Sequence, residues 1–488
     1  MMADRGSKSF SGFLQQCSAV LFAAVLLIGL GMGSPNAAAP ATARYQAVWV
    51  DAFHDGFKTP DQTRQLIEWS RRNGVNALFI EVRKAGDAYY SSKLEPVASD
   101  ISPPGYDPLA DLITQAHDTR GGRQRIEIHA WLIVYRIATG QFLPPGHVAR
   151  RHPEWLSVTY RGSREDEGNT FLDPGVPDVI AHTDALVAEL ASQYDLDGIH
   201  FDRIRYPGRD WGYNPTAVSR FRGIARRLFR PRPDDPAWSD FRRQQVSLML
   251  RRLYITVKSR RPTIKVSAAT IAFDQCPSDF HQSRSYADVF QDWPTWVLAD
   301  LLDLNCLMAY KRDEAPEQAA QYRRWLDFLA LHRGNALAVI GQGSFINPPS
   351  GSLRQISLAL QRPELSGVCL FSYAQPAREG DRGEMLFDLL RDRHFRRGVP
   401  TPTLPSPEQK GLGWIAGTAS VDGKSDYLDV SLASDPLRTT HTDGSGFFAF
   451  VSVPRGDYVV SVPVSRSRKL TQSIRVVPGK VSWVRVVH

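Results

Sequence analysis

A chain of 488 residues is longer than one hydrophobic core usually fills, since single cores stop growing at roughly 250 to 300 residues, so two or three units are expected. Hydrophobic residues at 42% and charged residues at 23% exclude a globally disordered chain. The net charge of +8 is spread along the sequence without a Lys/Arg block or a nucleic-acid motif, which disfavours DNA or RNA as a partner.

At the N-terminus, Arg5 and Lys8 precede an apolar run over 19–32, followed by small residues and Pro up to residue 43. That order matches the charged, apolar and cleavage regions of a secretory signal, with Ala37-Ala38-Ala39 or Ala41-Thr42-Ala43 as cut sites. Residues 1–43 are therefore expected to be a signal peptide, and the mature protein to be secreted or periplasmic. An uncleaved anchor is the alternative, but the run is shorter than the ~20 residues a spanning helix needs. No membrane contact beyond this segment is expected. Cys276, Cys306 and Cys369 are too scattered for a disulfide framework or a metal pair.

From 44 to 397, short β-branched runs alternate with amphipathic helical stretches, the pattern of βαβ units. Eight strands are predicted, over 46–51, 77–83, 126–135, 198–202, 264–269, 304–310, 336–340 and 367–373. Eight repeats in this length predict an α/β fold, a (β/α)8 TIM barrel with enlarged loops; an open doubly wound sheet is the alternative. Residues 398–411, GVPTPTLPSPEQKG, read as a Pro-rich extended linker. Beyond it, 412–488 has short alternating runs broken by Asp422-Gly423, Asp443-Gly444-Ser445-Gly446 and Pro454-Arg455-Gly456, which predicts a small all-β sandwich. Its TDGSGFFAFVSVPRGDYVVSV stretch resembles carboxypeptidase regulatory-like, transthyretin-type modules.

Alternation along the strands assigns the inward side chains. In 77–83 the apolar set Leu78, Ile80 and Val82 faces the helices, leaving Phe79, Glu81 and Arg83 inward. In YDLDGIHFDRIRYP (194–207), His200 and Asp202 point inward, and Asp202 sits at the strand's C-terminal end beside Arg205, where such barrels place their chemistry. Cleaving a glycosidic bond needs one ionised and one protonated carboxyl group, and Asp202 with Glu81 is the expected catalytic pair; Asp313 and Asp274 are alternative second acids. A structural Asp202–Arg205 pair and an internal Glu81–Arg83 network are the non-catalytic readings of the same residues. In IEIHAWLIVYR, Trp131 and Tyr135 are expected to form a sugar-stacking wall, with Arg136 following and His129 in the core. His200, Arg205, Asn305, Tyr310, Asp313, Gln342 and Tyr373, at or after the fourth and later strands, are further expected substrate contacts. The histidines lack metal-ligand spacing, there is no Gly-x-Ser-x-Gly elbow or Walker loop, and neither a metal nor a cofactor is expected.

These segments, in this order, resemble the glycosyl-hydrolase-like ten family of exported bacterial barrel proteins. The likeness is carried by VRKAGDAYYSSKLEP (82–96), YDPLADLITQAH (106–117), IHAWLIVYR (128–136), FLDPGVPDV (171–179), YDLDGIHFDRIRYP (194–207) and FQDWPTWVLADLLD (290–303). The resemblance implies a polysaccharide substrate in the cell envelope, such as peptidoglycan glycan strands, and a cleft containing Arg83, Asp87, Trp131, Arg136, Asp202 and Tyr206. The chain departs from the family pattern at Arg203, where a second Asp is usual, at Ala269-Thr270, at Leu307-Met308, and at Glu81, where Gln is common. The DGIHFD and NCLMAY stretches are also similar to chitinase-type barrels, but Arg203-Ile204-Arg205 stands where their acid Glu belongs. The expected function is glycoside hydrolysis by a monomer, the alternative a non-catalytic polysaccharide-binding protein on the same barrel.

Overall fold

The structure, a computed structural model, describes residues 42–140, 143–433 and 435–488. The expected signal peptide lies outside the described residues as far as Ala41. Eight parallel strands close a barrel: β1 (Tyr45–Val50), β2 (Ala77–Arg83), β3 (Glu127–Ile133), β4 (Gly198–Asp202), β5 (Lys265–Ile271), β6 (Leu304–Met308), β7 (Leu337–Gly343) and β8 (Gly367–Phe371). Each strand pairs with its chain neighbours, and β8 returns to β1 through the Tyr45–Gly367 to Trp49–Phe371 register.

The surrounding helices are α1 (Pro60–Arg72), α2 (Pro108–His117), α3 (Pro177–Gln193), α4 (Pro215–Ala225), α5 (Pro236–Arg260), α6 (Pro316–Leu331), α7 (Pro349–Leu360) and α8 (Gly383–Arg393). Seven of these eight begin with Pro, whose missing N–H and preset φ suit the first helical position. Thr59, Asp107, Asn214 and Asp235 cap α1, α2, α4 and α5 by accepting a backbone N–H, so helix starts are written locally.

Two apolar layers result. Tyr45, Ala47, Trp49, Phe79, Trp131, Cys306, Val339 and Cys369 fill the barrel interior. A larger layer between strands and helices includes Leu78, Ile80, Leu132, Ile199, Phe201 and Leu307, and continues into the C-terminal module through Trp414, Ala416, Phe447 and Ala449.

That module is a sandwich of β9 (Leu412–Ser420), β10 (Asp429–Leu432), β11 (Asp435–His441), β12 (Phe447–Pro454), β13 (Gly456–Pro463), β14 (Lys469–Val476) and β15 (Val481–Val487). A sheet ordered β12-β9-β15 faces one ordered β11-β10-β13-β14 around Ile415, Phe448, Val460 and Val486. The first sheet packs on α5, with the Trp414 ring centroid 6.4 Å from that of Tyr254. Arg220 makes a two-pronged ion pair with Asp426 at 2.7 Å, and Arg252 reaches Asp443 at 3.3 Å. Gly444 touches the barrel so closely that a Cβ there would lie 2.5 Å from Pro177 and 2.8 Å from the Arg220 guanidinium.

Within 398–411 only residues 399–406 are extended and tied down; the expected extended linker gives way to a short helix at Pro407–Lys410, capped by Ser406. Arg44 donates to the Pro400 carbonyl at 3.1 Å and Asn76 to that of Val399 at 3.1 Å, so the segment runs across the N-terminal ends of the barrel strands. Val399 is buried there.

Candidate active site

At the C-terminal ends of the strands lies a cavity of about 640 Å³, within the about 300–1,000 Å³ of small-molecule clefts. Asp202 from β4 lines it, with Arg203 and Arg205 beside it. Trp49, Trp131, Tyr310 and Phe371 form an aromatic wall from four strands or strand ends, and Ile271, Phe273 and Met308 also line the cavity. Ring centroids of Trp49 and Trp131 each stand 6.2 Å from that of Phe371, and Tyr310 stands 5.9 Å from it. Such flat, partly apolar faces suit the C–H faces of sugar rings.

The carboxylate at the cavity is held by local geometry. Arg203 adopts φ 47°, a left-handed conformation uncommon for a side-chain-bearing residue, and its N–H folds back to donate to Asp202 Oδ1. Arg205 Nη1 lies 3.4 Å from the same oxygen. Burial alone would raise the Asp202 pKa, but the charges of Arg205 and Arg203, the Arg203 N–H and His200 together outweigh it and hold the group below the usual Asp range.

Glu81 behaves oppositely. Its side chain is 1% exposed and accepts the Ala52 N–H at 2.8 Å. Burial pushes its pKa up to about 8, against the pull of that N–H and of Arg136, and Asp51 and Asp202 add to the rise. Glu81 pairs across β3 with Trp131, and Trp131 with His200, so Glu81 lies level with the residue two before Asp202. The two carboxyl groups are therefore driven toward opposite protonation states at neutral pH.

Beneath Asp202, His200 is fully buried. Trp49 Nε1 donates to its Nε2 at 3.2 Å, which leaves Nδ1–H to face Ser267 Oγ at 2.9 Å. Burial lowers its pKa to about 3, keeping it neutral. His200 is thus a support beneath the cavity and not the substrate contact expected from sequence.

The remaining expected residues divide by position. Trp131, Arg205 and Tyr310 line the cavity. Arg136 stands beside Glu81 and Asp202 electrostatically, with its guanidinium 5.6 Å from the ring of the exposed Phe53. Arg83 lies elsewhere: a bulge between Glu81 and Arg83 makes Val82 an extra residue, so Arg83 pairs with outward Leu132 and leaves the interior. There it makes a two-pronged buried pair with Glu95 at 2.6 and 2.7 Å. Asp87 turns back to accept the Lys84 and Ala85 N–H groups of its own loop. Tyr135 and Tyr206 are buried in the layer outside the barrel, because each follows the end of a strand where strict alternation no longer holds.

Asn305 and Gln342 also face the helices. Asn305 accepts from Thr270 at 2.6 Å, and Gln342 donates to Gln355 of α7 at 2.7 Å; both neighbour inward residues on their strands. Asp313 is paired with Arg354, and Tyr373 packs on Trp69 at 4.9 Å in a separate surface groove. Of the alternative acids, Asp274 does line the cavity but is 64% exposed and paired with Arg284 at 2.9 Å. Trp49 and Phe371 were missed as wall residues, although inward parity along β1 and β8 marks both.

Over residues 44–332 the sequence matches the profile of the glycosyl hydrolase-like 10 family. The chain belongs to that family. It is 28% identical over 338 residues to Glycosyl hydrolase DigH of Escherichia coli strain K12, covering 62% of this chain and 72% of that one. It is 25% identical over 311 residues to Glycosyl hydrolase YngK of Bacillus subtilis strain 168, covering 58% and 57%. In fold it is similar to the catalytic domain of beta-amylase from Paenibacillus polymyxa, with a TM-score of 0.51 at 12% identity over 72% of this chain and 99% of that one. This glycosyl hydrolase-like 10 member is a glycosidase-type barrel enzyme, and Glu81, Trp131 and Asp202 lie within the matched span.

Proposed function

We propose that the cavity cleaves glycosidic bonds in a polysaccharide of the cell envelope, with peptidoglycan glycan strands as the first substrate to test, in a protein exported to the periplasm or beyond and acting as a monomer. The observation that carries this reading is the charged Asp202 on an aromatic-walled cavity, with Glu81 kept protonated on a nearby strand. In this assignment Asp202 stabilises or attacks the oxocarbenium-like centre, and Glu81 supplies the proton to the leaving oxygen. Arg205 and Arg203 keep Asp202 ionised, and Trp131 offers an aromatic face to the sugar ring.

The test is release of new reducing ends from purified glycan strands by wild type and Asp202→Asn. Release should fall about 10²- to 10⁴-fold in the variant. Undiminished release would remove Asp202 from the chemistry.

The 1% exposure of Glu81 favours a second reading, a polysaccharide-binding barrel without turnover, because Glu81 is not on the cavity surface. That reading requires retention on glycan strands with no new chain ends after long incubation.

A further inference from the structure

The loop between α4 and α5 has an arrangement that the glycan chemistry leaves unused. Leu228 and Phe229, adjacent in sequence, are 78% and 83% exposed. Single exposed apolar residues are common, but here the polar neighbours are tied back while the apolar pair projects. Arg226, at φ 51°, ends α4, and Arg227 N–H donates to the Arg222 carbonyl at 3.0 Å. Arg227 pairs with Asp235, and Arg232 with Asp234 at 3.2 Å. The Arg230 guanidinium sits over the rings of Tyr160 and Tyr213 at 4.9 and 4.8 Å. Arg242 donates to the Pro233 carbonyl at 3.1 Å, and Pro231 and Pro233 stiffen the chain further. The tip is held in place before anything binds it.

Its charge is one-sided. Arg222, Arg226, Arg227, Arg230 and Arg232 fall within eleven positions that contain no acid. The nearest following acids, Asp234 and Asp235, are taken by Arg232 and Arg227. Arg222 and Arg226 are exposed and have no carboxylate partner among the described residues.

We propose that this loop docks the protein on an anionic phospholipid bilayer, with Leu228 and Phe229 entering the headgroup–acyl boundary and the arginines meeting lipid phosphates. A polysaccharide offers no apolar medium into which an aliphatic Leu can partition. A protein partner would need a far larger apolar surface than a two-residue tip, since stable interfaces bury about 1,200–2,000 Å². An anionic bilayer satisfies both features, because apolar insertion and Arg attraction add at its surface. Topology sets the orientation. Helix α5 runs back to the start of β5, so its first residue, Pro236, and the loop before it lie at the end of the barrel that carries the cavity. Docking therefore holds the cavity mouth beside the membrane surface, beyond the expectation that only the N-terminal segment meets a bilayer.

The experiment uses residues 42–488, one compact unit by itself, in flotation with phosphatidylcholine vesicles with and without phosphatidylglycerol. Binding should require phosphatidylglycerol and weaken in high salt. It should fall about tenfold or more in Leu228→Ser/Phe229→Ser and also weaken in Arg222→Gln/Arg226→Gln, with thermal unfolding unchanged because all four side chains are exposed. Phe229→Trp should show a blue-shifted emission quenched by brominated lipid. No preference for phosphatidylglycerol, or double-variant binding equal to wild type, overturns the proposal. Loss of retention on purified wall glycan with vesicle binding intact would assign the loop to polysaccharide and overturn it equally.

Discussion

Glu81 and Asp202 belong to one electrostatic unit near the cavity end of the barrel: Glu81 is buried, Asp202 is partly exposed on the cavity, and Asp202 contributes to the raised proton affinity of Glu81. Burial is the largest influence on both, but at Asp202 Arg205, Arg203 with its N–H, and His200 together outweigh it. One fold thus holds two like groups in different protonation states, as acid and base chemistry at a single bond requires.

The alkaline limb of activity should follow Glu81. If it donates the proton, kcat/KM falls as pH rises through about 8, and the limb disappears from the residual activity of Glu81→Gln. On the acid side activity should persist below the ordinary Asp range, because Asp202 stays ionised there. A pH–rate profile of the two proteins on glycan strands checks both limbs.

The same group controls stability with a defined sign. A carboxyl whose folded pKa is raised binds more protons folded than unfolded, so stability falls as pH climbs from about 4.5 to about 8. A rise of that size corresponds to roughly 5 kcal/mol above pH 8. Glu81→Gln retains an oxygen for the Ala52 N–H and removes the penalty. Denaturant unfolding should show the variant to be the more stable protein at pH 9, with little difference at pH 4.

Trp131 tests substrate contact apart from proton transfer. Trp131→Phe keeps an aromatic ring but shrinks the face it offers to the cavity. Losing part of a stacking contact worth about 1 kcal/mol should raise KM several-fold and leave kcat nearly unchanged. Steady-state kinetics separates the two parameters.

Arg83 and Glu95 are expected to matter for folding. Burial pushes Glu95 up, but Arg83 and His182 pull it down to about 2, so its ionised form is the one the fold holds. Glu95→Gln strands a guanidinium that is 2% exposed and should cost about 3–5 kcal/mol. Equilibrium denaturation at pH 7 measures it, and the wild-type advantage should shrink as pH falls from about 4.5 toward 2, where Glu95 becomes protonated.

The sandwich should behave as part of the barrel's support. Trp414 is 2% exposed and shares the layer that packs α5 on the strands. Trp414→Ala should cost about 3–5 kcal/mol and lower the thermal midpoint of the whole chain, as calorimetry would show.

The strands, the closed βα order and the inward placement of Glu81 and Asp202 were legible because periodicity is a local property: a side chain two positions along a regular strand returns to the same face. Parity ceased to inform wherever the ladder was interrupted. The extra residue at Val82 sent Arg83 to the outer layer, the end of β3 released Tyr135 from alternation, and Tyr206, placed in the cleft by resemblance alone, is buried outside the barrel. Asn305 and Gln342 were polar residues within apolar strands, and their partners, Thr270 and Gln355, lie 35 and 13 positions away. The protonation states of the two carboxyl groups are likewise tertiary facts, since burial and neighbouring charge are sums over side chains brought together by closure of the barrel.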